Sequence, residues 1–102
     1  MEKKKAGVGL PEMTPDAIKE ACLNNDGYEV PELNDKLYLH FKGYQRIENL
    51  DDYTGCKGLF LESNGPTKIE NLEPVVLTRS LFLQQNLINK IENLAHLQHL
   101  IV

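Results

Sequence analysis

The tetrapeptide Ile-Glu-Asn-Leu occurs three times in this chain, beginning at Ile47, Ile69 and Ile91, so both intervals are 22 residues. A Leu-x-Leu pair precedes each copy at a constant offset. These pairs are Leu37/Leu39, Leu59/Leu61 and Leu81/Leu83. A fixed period of this length predicts a stack of structural units, each of which buries its apolar face against its neighbours. Such stacks present a binding surface rather than catalytic chemistry.

The order of residues within one period predicts a leucine-rich repeat. The expected fold class is α/β, a leucine-rich-repeat solenoid with a short parallel concave sheet, preceded by an N-terminal capping helix. Strands should be centred on Tyr38, Phe60 and Phe82. The predicted segments are a disordered tail (1–13), a capping helix and lead-in (14–36) and repeats over 37–58, 59–80 and 81–102.

The capping helix has clear start and stop signals. Thr14 offers an N-cap, Pro15 suits the first helical position, and Asp16 favours the positive end of the helix dipole. The helix should end near Asn24 and lead into the first repeat through an extended segment over 28–34. Its apolar face should consist of Ala17, Ile18, Ala21 and Cys22.

The turn after each strand usually holds Asn, which satisfies backbone groups there. Asn64 and Asn86 occupy this position in the second and third repeats, whereas Lys42 replaces Asn in the first, so that turn must be held differently. Pro66 and Pro74 should make the second repeat the least regular of the three.

The tetrapeptides should lie on the turns that lead to the convex side. Their isoleucines should point inward, and their asparagines should cap short helices or 3₁₀ turns. The isoleucines are Ile47, Ile69 and Ile91, and the asparagines are Asn49, Asn71 and Asn93. The chain stops where a fourth Leu-x-Leu would begin, which indicates a fragment or a truncated product. We therefore expect an open C-terminal end that leaves Leu97 and Leu100 exposed.

Alternation along the strands predicts the candidate protein-binding residues. If the Leu-x-Leu residues face the core, two columns face the concave side: the aromatic residues Tyr38, Phe60 and Phe82, and the polar residues His40, Glu62 and Gln84. Two interpretations remain open. The rings stabilise the sheet by stacking, or they anchor a protein partner.

Other functions find less support in the sequence. The net charge of −4 argues against binding to a phosphate backbone. Glu92, His96 and His99 lack a fourth metal ligand, and Glu48, Glu70 and Glu92 are more typical of a solvated acidic row. We find no phosphate loop, nucleophile elbow, signal peptide or membrane span. We therefore predict no catalytic residues, cofactor, metal, small-molecule substrate, nucleic acid or membrane partner.

Several segments resemble the dynein axonemal assembly factor 1 family over roughly 13–102. They are Met13-Thr-Pro, Leu33-Asn-Asp-Lys-Leu-Tyr-Leu-His-Phe-Lys-Gly43, Tyr53-Thr-Gly and Leu81-Phe-Leu-Gln-Gln-Asn-Leu87. The resemblance implies a non-enzymatic role in cytoplasmic preassembly of axonemal dynein arms and in cilium assembly. It also implies a location in cytoplasm and cilium, with axonemal dynein subunits or other dynein assembly factors as partners.

Two alternative functions would use the same fold. The repeats also resemble those of the leucine-rich regulatory subunit of protein phosphatase 1, although the lead-in to the first repeat disfavours this identification. A spliceosomal leucine-rich protein is the second alternative, and the acidic charge balance opposes it.

Overall fold

The computed structural model describes residues 10–101, which form a small α/β domain with one α-helix and a three-stranded parallel sheet of order β1-β2-β3. The elements are α1 (Pro15–Asn24), β1 (Lys36–Tyr38), β2 (Gly58–Phe60) and β3 (Ser80–Phe82). Within this described part, no helix has the length and apolar character that a bilayer crossing requires.

Helix α1 begins where the sequence predicts. Thr14 has extended backbone angles, and its Oγ1 accepts a 3.1 Å hydrogen bond from the Ala17 N–H. Pro15 takes the first helical position, where its missing N–H leaves no hydrogen bond unmade. The helix buries Ile18, Ala21 and Cys22. It contacts β1, so its apolar face covers the first edge of the core.

The lead-in between α1 and β1 is not simply extended, as the sequence had suggested. It contains a 3₁₀ turn, Pro31–Leu33, held by the buried side chain of Asn34. Asn34 Oδ1 accepts a 2.9 Å bond from the Tyr28 N–H, and Nδ2 donates a 3.0 Å bond to the Tyr28 carbonyl. The Asn34 side chain therefore supplies hydrogen bonds that an extended segment here would not obtain from backbone pairing.

The predicted disordered tail extends too far toward the helix. Met13 is only 1% exposed and belongs to the core, so the boundary at residue 13 is wrong. Its carbonyl also accepts a 2.8 Å hydrogen bond from Asn49 Nδ2. The rest of that prediction, residues 1–9, lies outside the described residues.

The strand register matches the sequence periodicity. Leu37 pairs with Leu59, and Leu59 pairs with Leu81, while Leu39 and Leu61 are fully buried as predicted. The strands end at the three aromatic residues instead of being centred on them. Backbone hydrogen bonding nevertheless continues beyond the strands, since the Leu39 N–H donates to the Phe60 carbonyl at 2.9 Å.

The segments that follow the first two tetrapeptides, which were predicted for the convex side, contain consecutive turns and no helix. The Tyr53 N–H donates to the Leu50 carbonyl at 3.0 Å, and the Cys56 N–H donates to the Tyr53 carbonyl at 3.3 Å. Equivalent turns recur 22 residues later at Val75 and Thr78. Each turn has the i to i+3 spacing of a 3₁₀ turn, but none extends into a helix.

The tetrapeptide asparagines do not cap helices, contrary to the prediction. Asn49, Asn71 and Asn93 have positive φ angles of 64°, 61° and 62°, which Asn tolerates better than most residues. Asn71 Nδ2 donates to the Ile47 carbonyl at 2.8 Å, and Asn93 Nδ2 donates to the Ile69 carbonyl at 2.7 Å. Their side chains connect successive 22-residue segments.

The second 22-residue segment (59–80) is regular, so the expectation that Pro66 and Pro74 make it the least regular is wrong. Strand β2 pairs with both neighbours, and Ile69 and Leu72 are fully buried. Pro66 is buried, and its carbonyl accepts a 3.1 Å bond from the Leu87 N–H. Both prolines lie outside β2, where a missing N–H interrupts no sheet pairing.

In the third segment (81–101), the burial of two residues differs from what the sequence predicted. Ile91 is 78% exposed, whereas Ile47 and Ile69 are fully buried, because no later residue within 10–101 packs over Ile91. Leu97 is only 4% exposed and joins the core, so its predicted exposure is wrong. Leu100 is half-buried and packs against the same core.

Candidate protein-binding face

The most regular surface feature is a stack of three half-buried rings, Tyr38, Phe60 and Phe82, here called the aromatic column. The Tyr38 and Phe60 ring centroids lie 4.8 Å apart with planes at 23°, and those of Phe60 and Phe82 lie 4.6 Å apart at 14°. The residues are direct neighbours across the parallel sheet. Strand spacing of about 4.8 Å therefore sets the ring spacing.

The stacking itself stabilises the sheet. An aromatic pair contributes about 0.5–1.5 kcal/mol beyond its area burial, so the two stacked pairs stabilise the folded protein. The faces of Phe60 lie against Tyr38 and Phe82, which leaves the ring edge as the part available to a partner. The two interpretations of the aromatic column are therefore compatible.

The predicted polar column lies next to the rings. Among the described residues, no ion pair joins His40 to Glu62, although they occupy equivalent positions after neighbouring strands. His40 Nδ1 and Glu62 Oε1 are both buried, and neither has a hydrogen-bond partner among residues 10–101. Gln84, the third member, is exposed. Buried polar atoms without partners cost free energy, so these two atoms are a local destabilising feature beside the rings.

Asn64 fixes the turn beside the polar column. Its Oδ1 accepts bonds from the Lys42 and Tyr44 N–H groups at 3.0 and 3.1 Å. Its Nδ2 donates to the Leu39 and Leu61 carbonyls at 2.9 and 3.0 Å. The first turn, where Lys42 replaces Asn, is thus held by the Asn of the following segment.

The same turn arrangement recurs in the third segment. Asn86 Oδ1 accepts a 2.6 Å bond from the Asn64 N–H, and its Nδ2 donates to the Leu61 and Leu83 carbonyls, both at 2.9 Å. The successive asparagines therefore form a hydrogen-bonded ladder beneath the face. Such a ladder keeps the face rigid, which lowers the ordering cost of binding.

Phe41 is a surface aromatic residue that the sequence reasoning missed. It is 71% exposed, has a φ angle of 55°, and contacts the His40 ring edge-on at 5.5 Å. Bulky residues rarely adopt positive φ. Ser63 and Gln85 share this conformation at the equivalent positions, so the backbone turn dictates it and turns the Phe41 ring outward. The sequence Leu37-Tyr-Leu-His-Phe41 could have indicated this residue, because an apolar residue directly follows His40 of the polar column.

A group of basic residues at the start of the strands was also missed. Lys36, Lys57 and Arg79 line a shallow depression of about 270 Å³ together with Phe60 and Phe82. All three basic side chains belong to exposed residues. We call them the basic rim. Lys57 and Arg79 are 22 residues apart, so aligning the residues before each Leu-x-Leu pair would have revealed part of it.

The remaining candidates have structural roles. A His96 ring nitrogen, Nε2, lies 2.8 Å from the Leu72 carbonyl, and the described residues contain no group of three ligands placed for a metal ion. The acidic row is half-buried instead of fully solvated. Within it, Glu70 lies 4.0 Å from Arg46, and Glu92 lies 3.6 Å from Lys90.

The two cysteines are free and buried in the core. Burial raises the pKa of the Cys22 thiol, and it raises that of Cys56 to about 12. Burial also raises the pKa of the Tyr53 hydroxyl to about 12, with a further contribution from neighbouring Cys22. Because a neutral, inaccessible thiol is a poor nucleophile, this arrangement favours a packing role for both cysteines.

Comparison with known proteins supports the resemblance found in the sequence. No protein-family model matches the chain. The human protein named dynein axonemal assembly factor 1 is 56% identical over 51 residues, covering 50% of this chain and 7% of the relative. The homolog from Drosophila erecta is 51% identical over 59 residues, covering 58% of this chain and 4% of the relative.

A third relative agrees with these two. The homolog from Drosophila pseudoobscura pseudoobscura is 54% identical over 54 residues, covering 53% of this chain and 3% of that protein. About half of the chain is therefore similar, at about 50% identity, to proteins of this name. The chain spans less than a tenth of the length of these relatives.

Proposed function

We propose that this chain is a non-enzymatic protein-interaction module of a cilium-associated factor for cytoplasmic preassembly of axonemal dynein arms and cilium assembly. The names of these three relatives support this role, since all describe assembly factors and none describes an enzyme. We propose axonemal dynein subunits or other dynein assembly factors as its partners. The expected location is cytoplasm and cilium.

We also propose that the fold is a leucine-rich-repeat solenoid with repeats over 37–58, 59–80 and 81–102 and with α1 as its N-terminal cap. Support comes from contacts that recur with the sequence period. The Asn71–Ile47 and Asn93–Ile69 hydrogen bonds both span 24 residues, and the strands pair at 22-residue intervals. Each segment thus packs against its sequence neighbours, as in a repeat stack.

The aromatic column is the observation that carries the proposed binding role. Aromatic residues on a rigid surface are frequent anchors at protein interfaces. Tyr38, Phe60 and Phe82 are half-buried and held by stacking, so little side-chain freedom is lost on binding. We place the proposed binding face on these rings and on the adjacent His40, Glu62 and Gln84.

The test is co-precipitation of the purified 102-residue chain with individually expressed axonemal dynein subunits, dynein assembly factors and the catalytic subunit of protein phosphatase 1. The wild type should retain at least one subunit, and Phe60→Ala with Phe82→Ala should abolish that retention. Tyr28→Ala is the matched control, because Tyr28 is also an exposed aromatic residue but lies in the lead-in.

Two results would contradict the proposal. No retention of any dynein subunit or dynein assembly factor by the wild type would remove the assembly role. Selective retention of the catalytic subunit of protein phosphatase 1 would favour the phosphatase alternative instead.

A further inference from the structure

We infer that the partner segment bound by the aromatic column is acidic and carries at least one apolar residue. This inference rests on the proposed binding function and specifies the chemistry of the partner. The basic rim supplies the charge complementarity: Lys36, Lys57 and Arg79 share one depression with the edges of Phe60 and Phe82. Asp35 is the one carboxylate in that lining, although the whole chain has a net charge of −4.

The backbone holds two of these cations next to each other. The Arg79 N–H donates to the Lys57 carbonyl at 2.8 Å, just as the Lys57 N–H donates to the Asp35 carbonyl at 2.7 Å. Lys57 and Arg79 are therefore neighbours across adjacent segments. Like charges placed opposite each other are destabilising, so a carboxylate from a partner would relieve this repulsion.

Within residues 10–101, the rim cations form no ion pair. The ion pairs among residues 10–101 involve Lys19, Arg46 and Lys90, and none involves a rim residue. The side chains are exposed, so their desolvation on binding is modest and their charge remains available. Gly58 lies between the Lys36 stem and the Phe60 ring and lines the same depression.

The ring geometry favours a peptide over a single-stranded nucleic acid. Nucleic-acid bases bind aromatic residues through ring faces, but Tyr38 and Phe82 cover both faces of Phe60. An aromatic edge carries partial positive charge and attracts carboxylate oxygens. Ring edges and rim cations therefore select the same ligand chemistry, a carboxylate beside an apolar group.

The experiment compares binding of the 102-residue chain to tiled peptides from the dynein subunit or assembly factor retained in the co-precipitation. Bound peptides should be rich in Asp and Glu and should contain an apolar residue. Lys57→Glu with Arg79→Glu should weaken binding on the order of tenfold or more, because charge reversal replaces attraction by repulsion. The neutral pair Lys57→Gln with Arg79→Gln should have an intermediate effect.

Lys68→Glu with Lys90→Glu is the matched control. These exposed residues are also 22 apart and change the net charge equally, but they lie outside the depression. Binding should remain within about twofold, since the exposed Lys90–Glu92 pair contributes little. Raising the ionic strength from about 0.05 to about 0.5 M should weaken wild-type binding and leave the Gln variant less affected.

The outcomes separate this inference from the proposed function. If the wild type retains a dynein subunit but both Glu pairs behave alike, the acidic-partner inference is overturned and the binding function stands. Bound peptides that are basic or neutral would overturn it as well. Tighter binding of a fluorescent oligouridylate than of any peptide would overturn it in favour of a nucleic acid. Loss of wild-type binding to every subunit and assembly factor would instead remove the proposed function.

Discussion

Asn71 Nδ2 donates a 2.8 Å hydrogen bond to the carbonyl of Ile47, a residue 24 positions earlier in the chain. Asn93 forms the equivalent bond to Ile69, and Asn49 bonds to Met13. The repeated Asn of the tetrapeptide therefore has two tasks: it accommodates a positive φ angle, and it joins its segment to the preceding one. These tasks can be separated by substitution.

We predict that Asn71→Gly destabilises the protein less than Asn71→Ala. Both substitutions remove the hydrogen bond, but Gly tolerates the positive φ angle and Ala does not. The difference in free energy of unfolding should be about 1–2 kcal/mol, measured by urea denaturation. Asn89→Ala, at an exposed position, should have almost no effect. Equal losses for the Gly and Ala variants would mean that backbone conformation is unimportant at this position.

Asn64→Ala should be more damaging than the same change at a tetrapeptide asparagine. It removes four hydrogen bonds and leaves the Lys42 and Tyr44 N–H groups and two carbonyls without that partner. We expect a loss of roughly 2–4 kcal/mol, because each unsatisfied buried group costs about 1–3 kcal/mol. Faster amide exchange at Lys42 and Tyr44 would identify the cause. If Asn64→Ala lowers the free energy of unfolding by less than Asn71→Gly does, the Asn64–Asn86 ladder is not a major source of stability.

The aromatic column and the core should respond differently to truncation. Phe60→Ala should weaken partner binding by about 2 kcal/mol or more, with a smaller loss of stability from the broken stack. Leu61→Ala, at a fully buried position, should cost about 2–5 kcal/mol of stability. Circular dichroism melts and binding measured on the same samples separate the effects. If both variants unfold equally readily, the ring is purely structural.

Stability should fall as the pH becomes alkaline. Burial raises the pKa of the Cys56 thiol from 9.0 to about 12, so the folded state retains a proton that the unfolded state releases. The stabilising contribution is complete below about pH 9 and is lost as the pH rises toward about 12. The urea midpoint of Cys56→Ala should therefore decline less steeply with pH than that of the wild type. Parallel declines would show that other groups, such as Tyr53, dominate.

The N-cap of α1 provides a local test. Thr14→Ala removes the acceptor for the Ala17 N–H and should cost about 1 kcal/mol of stability. Thr14→Ser keeps a hydroxyl at the same position and should remain close to the wild type. Thermal melts of the two variants give the comparison, and an equally unstable Ser variant would point to the lost methyl group instead.

Much of the local structure could be predicted from the sequence. The start of α1 follows from Thr14 and Pro15, because capping and proline geometry act over a few residues. The burial of Leu39 and Leu61 and the alignment of the three rings follow from alternation along a strand combined with a 22-residue period. The candidate face was thus predictable in its central residues.

Other features were decided by tertiary structure. The sequence alone assigned the tetrapeptide asparagines to helix caps, whereas packing places Asn71 opposite a carbonyl 24 residues away. Ile91 and Ile69 have the same local sequence, yet one is exposed and the other buried, because burial depends on what packs over each segment. Similarly, the basic rim exists only because sheet pairing brings Lys57 beside Arg79. Local periodicity determines which way a side chain points, while its neighbours across the stack determine what it contacts.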